Sequence, residues 1–270
     1  MIQPMILFGI LNVTSDSFSD GGDFLDPVRA EEKGIELIQS GAAVIDISAQ
    51  SSNVDAVQIT PELEWSRIEK LIQKFQKTGY KISVDTYKPY VIRKSIEANV
   101  DYINNINSFR DKESLEILSE YKNSLPELIL MYSHNNGDIA EAKSDLTPNT
   151  IMDFIYRFFE VKINELQKLG VPENKLIFDP GMGLFLGADP MLSIEVLKNI
   201  SEFKRRFGKV LVSVSRKSFI GNLLGGIPAK ERYAGTLAVE LYLYQRSIDF
   251  IRTHDAKQLN DGIKMLDVLG

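Results

Sequence analysis

The chain has no cysteine among its 270 residues, only two histidines and one tryptophan, and no apolar run long enough to span a bilayer. Without cysteine there is no disulfide framework, no thiolate nucleophile and no cysteine-ligated zinc. Positive charge is also scarce: 31 basic residues against 37 acidic ones leave a net charge of −6. That balance, with no basic run, argues against a general affinity for nucleic acid or for an anionic membrane. The opening stretch from Met1 to Phe8 lacks a basic n-region and a small-residue cleavage site, so it reads as a first strand and not as a signal peptide. These absences together set the expectation of a cytoplasmic protein.

What remains is the balance of an ordinary globular chain with a large core, 44% hydrophobic and 25% charged. Eight short β-branched or apolar runs recur: Met5 to Val13, Ala42 to Ser48, Lys81 to Thr86, Tyr102 to Ile106, Leu128 to Ser133, Lys175 to Asp179, Val210 to Ser215 and Asp249 to His254. Helix-like stretches follow them. In one, Leu63, Trp65, Ile68, Leu71 and Ile72 form a stripe predicted to face inward. Thr60-Pro61 and Asp189-Pro190 mark helix starts, and Gly41, Gly79, Gly170 and Gly208 close helical runs. Strand alternating with helix eight times in this length predicts an α/β fold, a single (β/α)8 TIM-barrel domain over residues 1–270. An open doubly wound sheet is the alternative, weakened by the lack of a Gly-x-Gly-x-x-Gly turn after the first strand. Two long polar segments, Thr14 to Gly22 and His134 to Asn149, are expected as loops on one face of the barrel.

In such a barrel the C-terminal strand ends build the site. Here they are polar: Asn12, Asp46, Asp85, Asn104 with Asn105, Asp179, the string Ser215-Arg216-Lys217-Ser218, and Arg252 with His254. One such residue usually caps a helix. Seven converging on one mouth point to a shared ligand, because an unpaired buried polar group costs roughly 1–3 kcal/mol. Asp85 and Asp179 can each take paired N–H donors from a flat heterocycle, Asn104 can donate and accept on a ring edge, and Lys217 can donate to a carbonyl or ring nitrogen. Asn12, Arg252 and His254 suit phosphate oxygens. Asn12 could also offer an oxygen to Mg²⁺ shared with a substrate phosphate. The residues alone therefore suggest an aminopyrimidine-like ring beside a phosphate. Bland readings compete: Arg216 and Arg252 as ion pairs, His254 as a structural residue, Asp46 as a backbone orienter.

These residues sit in strings that resemble dihydropteroate synthase. Gly9-Ile10-Leu11-Asn12 through Ser17-Phe18-Ser19-Asp20-Gly21-Gly22 is similar to that family's first motif, and Ser83-Val84-Asp85-Thr86-Tyr87-Lys88-Pro89 to its third-strand motif. Asp179-Pro180-Gly181-Met182-Gly183, Val214-Ser215-Arg216-Lys217-Ser218-Phe219 and Ile251-Arg252-Thr253-His254-Asp255 resemble the last three. The resemblance implies joining p-aminobenzoate to 6-hydroxymethyl-7,8-dihydropterin pyrophosphate, with pyrophosphate released on the folate route. It implies that Asp85, Asn104, Met131, Asp179 and Lys217 hold the pterin, and that Asn12, Arg252 and His254 hold pyrophosphate, Asn12 with Mg²⁺. Ser52, Leu184, Phe185 and Ser215 would flank p-aminobenzoate, with Asp85, Lys217 and Arg252 carrying the chemistry and the two long loops ordering over the site. The family is typically a homodimer through its last helices, where Leu237, Val239, Leu241, Tyr242 and Tyr244 offer an apolar stripe that could equally be core.

The departures cluster on one side. Where the family commonly reads Glu-Ser-Thr-Arg-Pro-Gly this chain has Gln50-Ser51-Ser52-Asn53-Val54-Asp55, and where it usually continues Phe-Gly-Lys this chain has Leu184-Phe185-Leu186. Asn105 replaces the usual aspartate and Tyr132 the usual histidine. The pterin half is kept and the p-aminobenzoate half is altered, in a way similar to the mobile sulfonamide-resistance forms. Phe185 is expected to fill space that a sulfonyl group needs and a flat carboxylate does not. A pterin-binding methyltransferase domain and a non-catalytic pterin-binding paralogue are the alternatives. The Ser-Phe-Ser-Asp-Gly-Gly and Ser-Arg-Lys-Ser strings favour the synthase over the first, and the intact phosphate set speaks against the second.

Overall fold

The computed structural model describes residues 5–14, 26–50, 58–135 and 140–270. Within them, strand and helix alternate in the order β1 (Ile6–Asn12), α1 (Pro27–Gln39), β2 (Val44–Ser48), α2 (Pro61–Lys77), β3 (Lys81–Asp85), α3 (Pro89–Glu97), β4 (Tyr102–Asn105), α4 (Lys112–Glu120), β5 (Glu127–Met131), α5 (Ile151–Lys168) and β6 (Leu176–Asp179). The last quarter doubles its helices: α6 (Pro190–Lys198) and α7 (Ile200–Phe207) precede β7 (Leu211–Val212), and α8 (Ser218–Leu223) and α9 (Tyr233–Tyr244) precede β8 (Phe250–Thr253), before α10 (Ala256–Leu269). The strands are parallel, ordered β6-β5-β4-β3-β2-β1-β8-β7, and a parallel bridge between Phe178 and Val210 brings the two edges together. This is the (β/α)8 barrel the alternation predicts. Among the described residues no helix is long and apolar enough to cross a membrane.

Local chemistry accounts for the element ends. Thr60 and Asp189 accept from Leu63 N at 3.2 Å and Met191 N at 2.9 Å, each with proline at the first helical position. Gly79 and Gly208 end their helices at φ of 79° and 87°, a backbone state that costs glycine no Cβ clash. Two expectations need correction. Leu63, placed on the inward stripe of α2, is 43% exposed, whereas its neighbour Glu64 is 1% exposed and faces in. The seventh strand is only two residues long, so Ser213 to Ser215 lie beyond it.

Inside the barrel, Phe8, Val44, Tyr102, Ile129, Ile177, Leu211 and Phe250 pack into one buried apolar layer. Side chains alternate along a strand, so the residues two positions on face inward too. Those are Ile10, Asp46, Asn104, Met131, Asp179, Ser213 and Arg252. An apolar floor thus carries a largely polar second storey, and the switch occurs within two residues on most strands.

Candidate active site

Arg252, on β8, organises the second storey. Its Nε donates to Asp46 of β2, and its Nη2 donates to Asp85 of β3 at 2.7 Å. Asn104 of β4 offers its amide to the same Asp46 oxygen at 3.5 Å. Asp46 therefore does not orient backbone, and it lies in the middle of β2 instead of at its end. It is the completely buried anchor that holds the side chains of Arg252 and Asn104. One guanidinium cannot neutralise two carboxylates fully. Burial lifts the Asp85 carboxyl to about 7, with Asp46 and Glu64 adding to the rise and Arg252 and Lys217 opposing it. For Arg252 burial works against the charge, yet Asp46 and Asp85 outweigh it and hold the guanidinium more firmly protonated than usual.

Asp179, at the end of β6, accepts the Gly181 N–H at 2.8 Å. Gly181 has φ of 74°, and a Cβ there would stand 2.3 Å from the Tyr132 carbonyl oxygen, so the tight turn that shapes this corner needs glycine. Burial raises Asp179 to about 6 against the pull of that N–H and of Lys217. Lys217, just past β7, is brought down to about 8 by burial and by Arg252, against Asp179 and Asp85. These mutual influences put Asp85, Asp179, Lys217 and Arg252 in one electrostatic cluster, as the strand-end reading requires.

On the other flank Ile106, Met131, Ala140 and Phe185 form a small buried apolar cluster, with Tyr87 and Leu184 packed on it. The Lys217 ammonium lies 4.6 Å from the Phe185 ring centroid, a cation–π contact that joins the two flanks. The loop after β5 packs here as well: His134 N–H donates to the Phe185 carbonyl at 3.0 Å, and Ala188 N–H to Ala142 at 2.8 Å. Met131, which the resemblance gives to the pterin, thus packs with Leu184 and Phe185, which it gives to p-aminobenzoate. Ile106 joins them without having been singled out, although it continues the inward alternation two residues past Asn104.

His254 lies beside Ser215, with Nδ1 and Oγ 2.9 Å apart. Burial, then Arg216, Arg252 and Lys217, depress the imidazole well below its usual range, so the ring is neutral. The His254 backbone N–H donates to the same Ser215 Oγ at 3.2 Å. Ser215, which the resemblance links to p-aminobenzoate, thus has the His254 ring and backbone as its side-chain partners. Arg216 forms a two-point pair with Asp255, Nη2 at 2.8 Å and Nε at 3.3 Å, which matches the ion-pair reading.

Asn105 turns out to be structural: its side-chain oxygen accepts the N–H groups of Asn107 at 3.0 Å and Phe109 at 3.2 Å. An aspartate would supply the same acceptor, which explains why the exchange is tolerated. Tyr132 is buried with its ring edge-on to Phe158 at 5.4 Å. Ser52 and most of the first loop lie outside the described residues.

A profile of the pterin binding enzymes matches residues 8–254. A dihydropteroate synthase type-3 from Escherichia coli is 42% identical over 98% of this chain and 99% of its own length. The chain belongs to the dihydropteroate synthase family. Solved members share its shape as well. A synthase from Clostridium difficile in the presence of pteroic acid is 30% identical, with a TM-score of 0.85 over 99% of this chain and 97% of that one. One from Xanthomonas albilineans with 4-aminobenzoic acid is 28% identical, with a TM-score of 0.86 over 99% and 94%.

Proposed function

We propose that this site condenses 6-hydroxymethyl-7,8-dihydropterin pyrophosphate with p-aminobenzoate, releasing pyrophosphate. The chain is a transferase of folate biosynthesis, a family of dihydropteroate synthases crystallised with pteroate and 4-aminobenzoate. The observation that carries the reading is the four-membered cluster of Asp85, Asp179, Lys217 and Arg252 above an apolar floor. Ionised Asp85 and Asp179 accept the pterin's N–H groups, Asn104 pairs with a ring edge, and Lys217 donates to the ring carbonyl or nitrogen. Met131 gives the ring an apolar face.

In the reaction the amine nitrogen forms a bond to the hydroxymethyl carbon. The C–O bond breaks with its electron pair leaving on pyrophosphate, and the amine sheds a proton. An arylamine is already nucleophilic, so the barrier lies in the negative charge growing on the leaving oxygen. Arg252 and the His254 ring stabilise that charge from the part-buried mouth of the barrel. Leu184, Phe185 and Ser215 flank the arylamine. The donor chemistry suits a magnesium ion shared with substrate: Asn12 offers one hard oxygen, and no group of three His, Asp or Glu side chains among the described residues offers a cage of its own. Asn12 and the pyrophosphate oxygens would hold the ion, which when bound neutralises part of the leaving-group charge.

Pyrophosphate release from the purified protein tests the reading. It is expected to require both substrates and to stop with a chelator; release that occurs without p-aminobenzoate would mean hydrolysis instead. A further observation supports weak sulfonamide binding. Phe185 is fixed by Lys217 on one side and by Met131 and Ile106 on the other, so it cannot easily swing aside for a sulfonyl group. Sulfamethoxazole inhibition as strong as that of an ordinary synthase would contradict it. The protein is read as a cytoplasmic homodimer, the pairing supported by exposed Leu223 and Leu224 at the end of α8 and Met265, Val268 and Leu269 on α10. The α9 stripe is less available: Leu237, Val239, Leu241 and Tyr242 pack partly on the core and Tyr244 is buried.

A further inference from the structure

Behind the site, between β3 and α2, lies a buried ammonium that the reaction does not use. Lys88 stands three residues after Asp85, at the cap of α3, and its ammonium meets one ion-pair partner and two hydrogen-bond acceptors from separate places. They are the Glu64 carboxylate of α2 at 2.9 Å, the side-chain oxygen of Gln50 just past β2 at 3.2 Å, and the Ile59 carbonyl at 2.5 Å. The same Gln50 oxygen accepts the Ile59 N–H at 3.0 Å. Glu64 also takes the Thr86 hydroxyl at 2.6 Å, Ser48 donates to the Gln50 carbonyl at 2.8 Å, and Tyr87 donates its hydroxyl to Gln58 at 2.5 Å.

Gln50 and Ile59 are the two ends of the connection from β2 to α2. Lys88 fastens both ends to each other and to the stretch Thr86 to Lys88 that leaves Asp85. Burial alone does not explain an ion pair here, because well-packed apolar residues of similar size usually serve stability as well or better. What ions and directed hydrogen bonds add is registration of one element on another. We propose that Lys88 is a positioning residue, which with Glu64 clasps Gln50 and Ile59 to the stretch Thr86 to Lys88, and so sets where Tyr87 stands on the apolar wall beside the arylamine. The inference rests on the condensation proposed above, in which that wall flanks the arylamine; Tyr87 packs on it and donates to Gln58, next to Ile59.

Two variants of the full chain test it. Lys88→Met combined with Glu64→Gln removes the pair without leaving one buried charge alone. Gln50→Met leaves the pair and the Lys88–Ile59 bond intact and removes the Gln50 side-chain bonds to Lys88 and to the Ile59 N–H. Pyrophosphate release gives kcat and both KM values, calorimetry gives the Kd for the pterin pyrophosphate, and thermal melting monitors folding. In both variants the KM for p-aminobenzoate is expected to rise about tenfold, the scale on which sub-ångström misplacement of a substrate acts, while pterin affinity stays within about twofold. The role is overturned if both KM values rise together, or if only the melting temperature moves. It is overturned alone if the wild-type protein turns over normally and both variants keep its KM for p-aminobenzoate. A wild-type protein that releases no pyrophosphate overturns the condensation and this role with it.

Discussion

On one flank of the barrel mouth Asp46, Asp85, Asn104, Asp179, Lys217 and Arg252 interlock through charge and directed hydrogen bonds. On the other, Ile106, Met131, Leu184 and Phe185 make an apolar wall that joins the first through the Lys217–Phe185 contact. The flanks differ in how they respond to change. In the charged flank every group balances another, so removing one leaves partners buried and unpaired. The apolar flank contributes shape, and shape changes by degrees.

The sharpest way to expose the asymmetry is Arg252→Ala. It strips both Asp46 and Asp85 of their shared cation, and kcat should fall by about a hundredfold to a thousandfold, measured at saturating substrate. Leu184→Ala on the opposite flank should instead raise the KM for p-aminobenzoate a few-fold with kcat nearly unchanged. Equal losses in the two variants would erase the distinction. Phe185→Gly is the next largest test. It should strengthen sulfamethoxazole inhibition by about tenfold to a hundredfold, the range a change in apolar pocket volume allows, with far less effect on p-aminobenzoate.

The flanks should also separate by pH. Asp85 and Asp179 must be ionised to accept N–H donors, and with values near 7 and 6 both become protonated as the pH falls through that range. Lys217, near 8, loses its charge as the pH rises. The kcat/KM for the pterin should therefore follow a bell with its top between about pH 7 and 8. The apolar wall of Ile106, Met131, Leu184 and Phe185 contains no titrating side chain, so the KM for p-aminobenzoate should stay flat from pH 6 to 8.

The smallest effect lies behind the phosphate flank. Glu240 of α9 is buried, bonded to Thr253 through one oxygen while the other has no partner, and burial raises its carboxyl to about 8. A carboxyl raised on folding favours the folded state fully only below its unfolded value near 4.5, and that contribution is lost as pH rises toward 8. Glu240→Gln should therefore gain melting temperature relative to the wild type between pH 5 and 8 and hold the gain above. A difference that does not vary with pH would mean the carboxyl stays ionised throughout.

Much of this was readable in the chain. The eight runs, the proline-led helix starts and the polar strand ends follow from backbone sterics and local hydrogen bonding, which act within a few residues. Asp46 was less legible, because a carboxylate inside a β-branched run looks the same whether it turns to backbone or to an arginine 206 positions away. Helix periodicity gives the more apolar Leu63 to the core, yet it is Glu64 that faces in, where Lys88 and the Thr86 hydroxyl meet it. Ser215 sits in a motif that resemblance assigns as a unit, and nothing in the string says that its hydroxyl serves His254.

The sequence by itself determined the barrel, the order of its elements and the set of chemical groups at its mouth, since periodicity and turn chemistry are properties of neighbouring residues. Only the tertiary structure decided which charges pair, which carboxyls are pushed toward neutrality and which hydroxyl the histidine meets. Those outcomes depend on burial and on distances between residues far apart in the chain, and Coulomb energy in a dry interior is set by such distances.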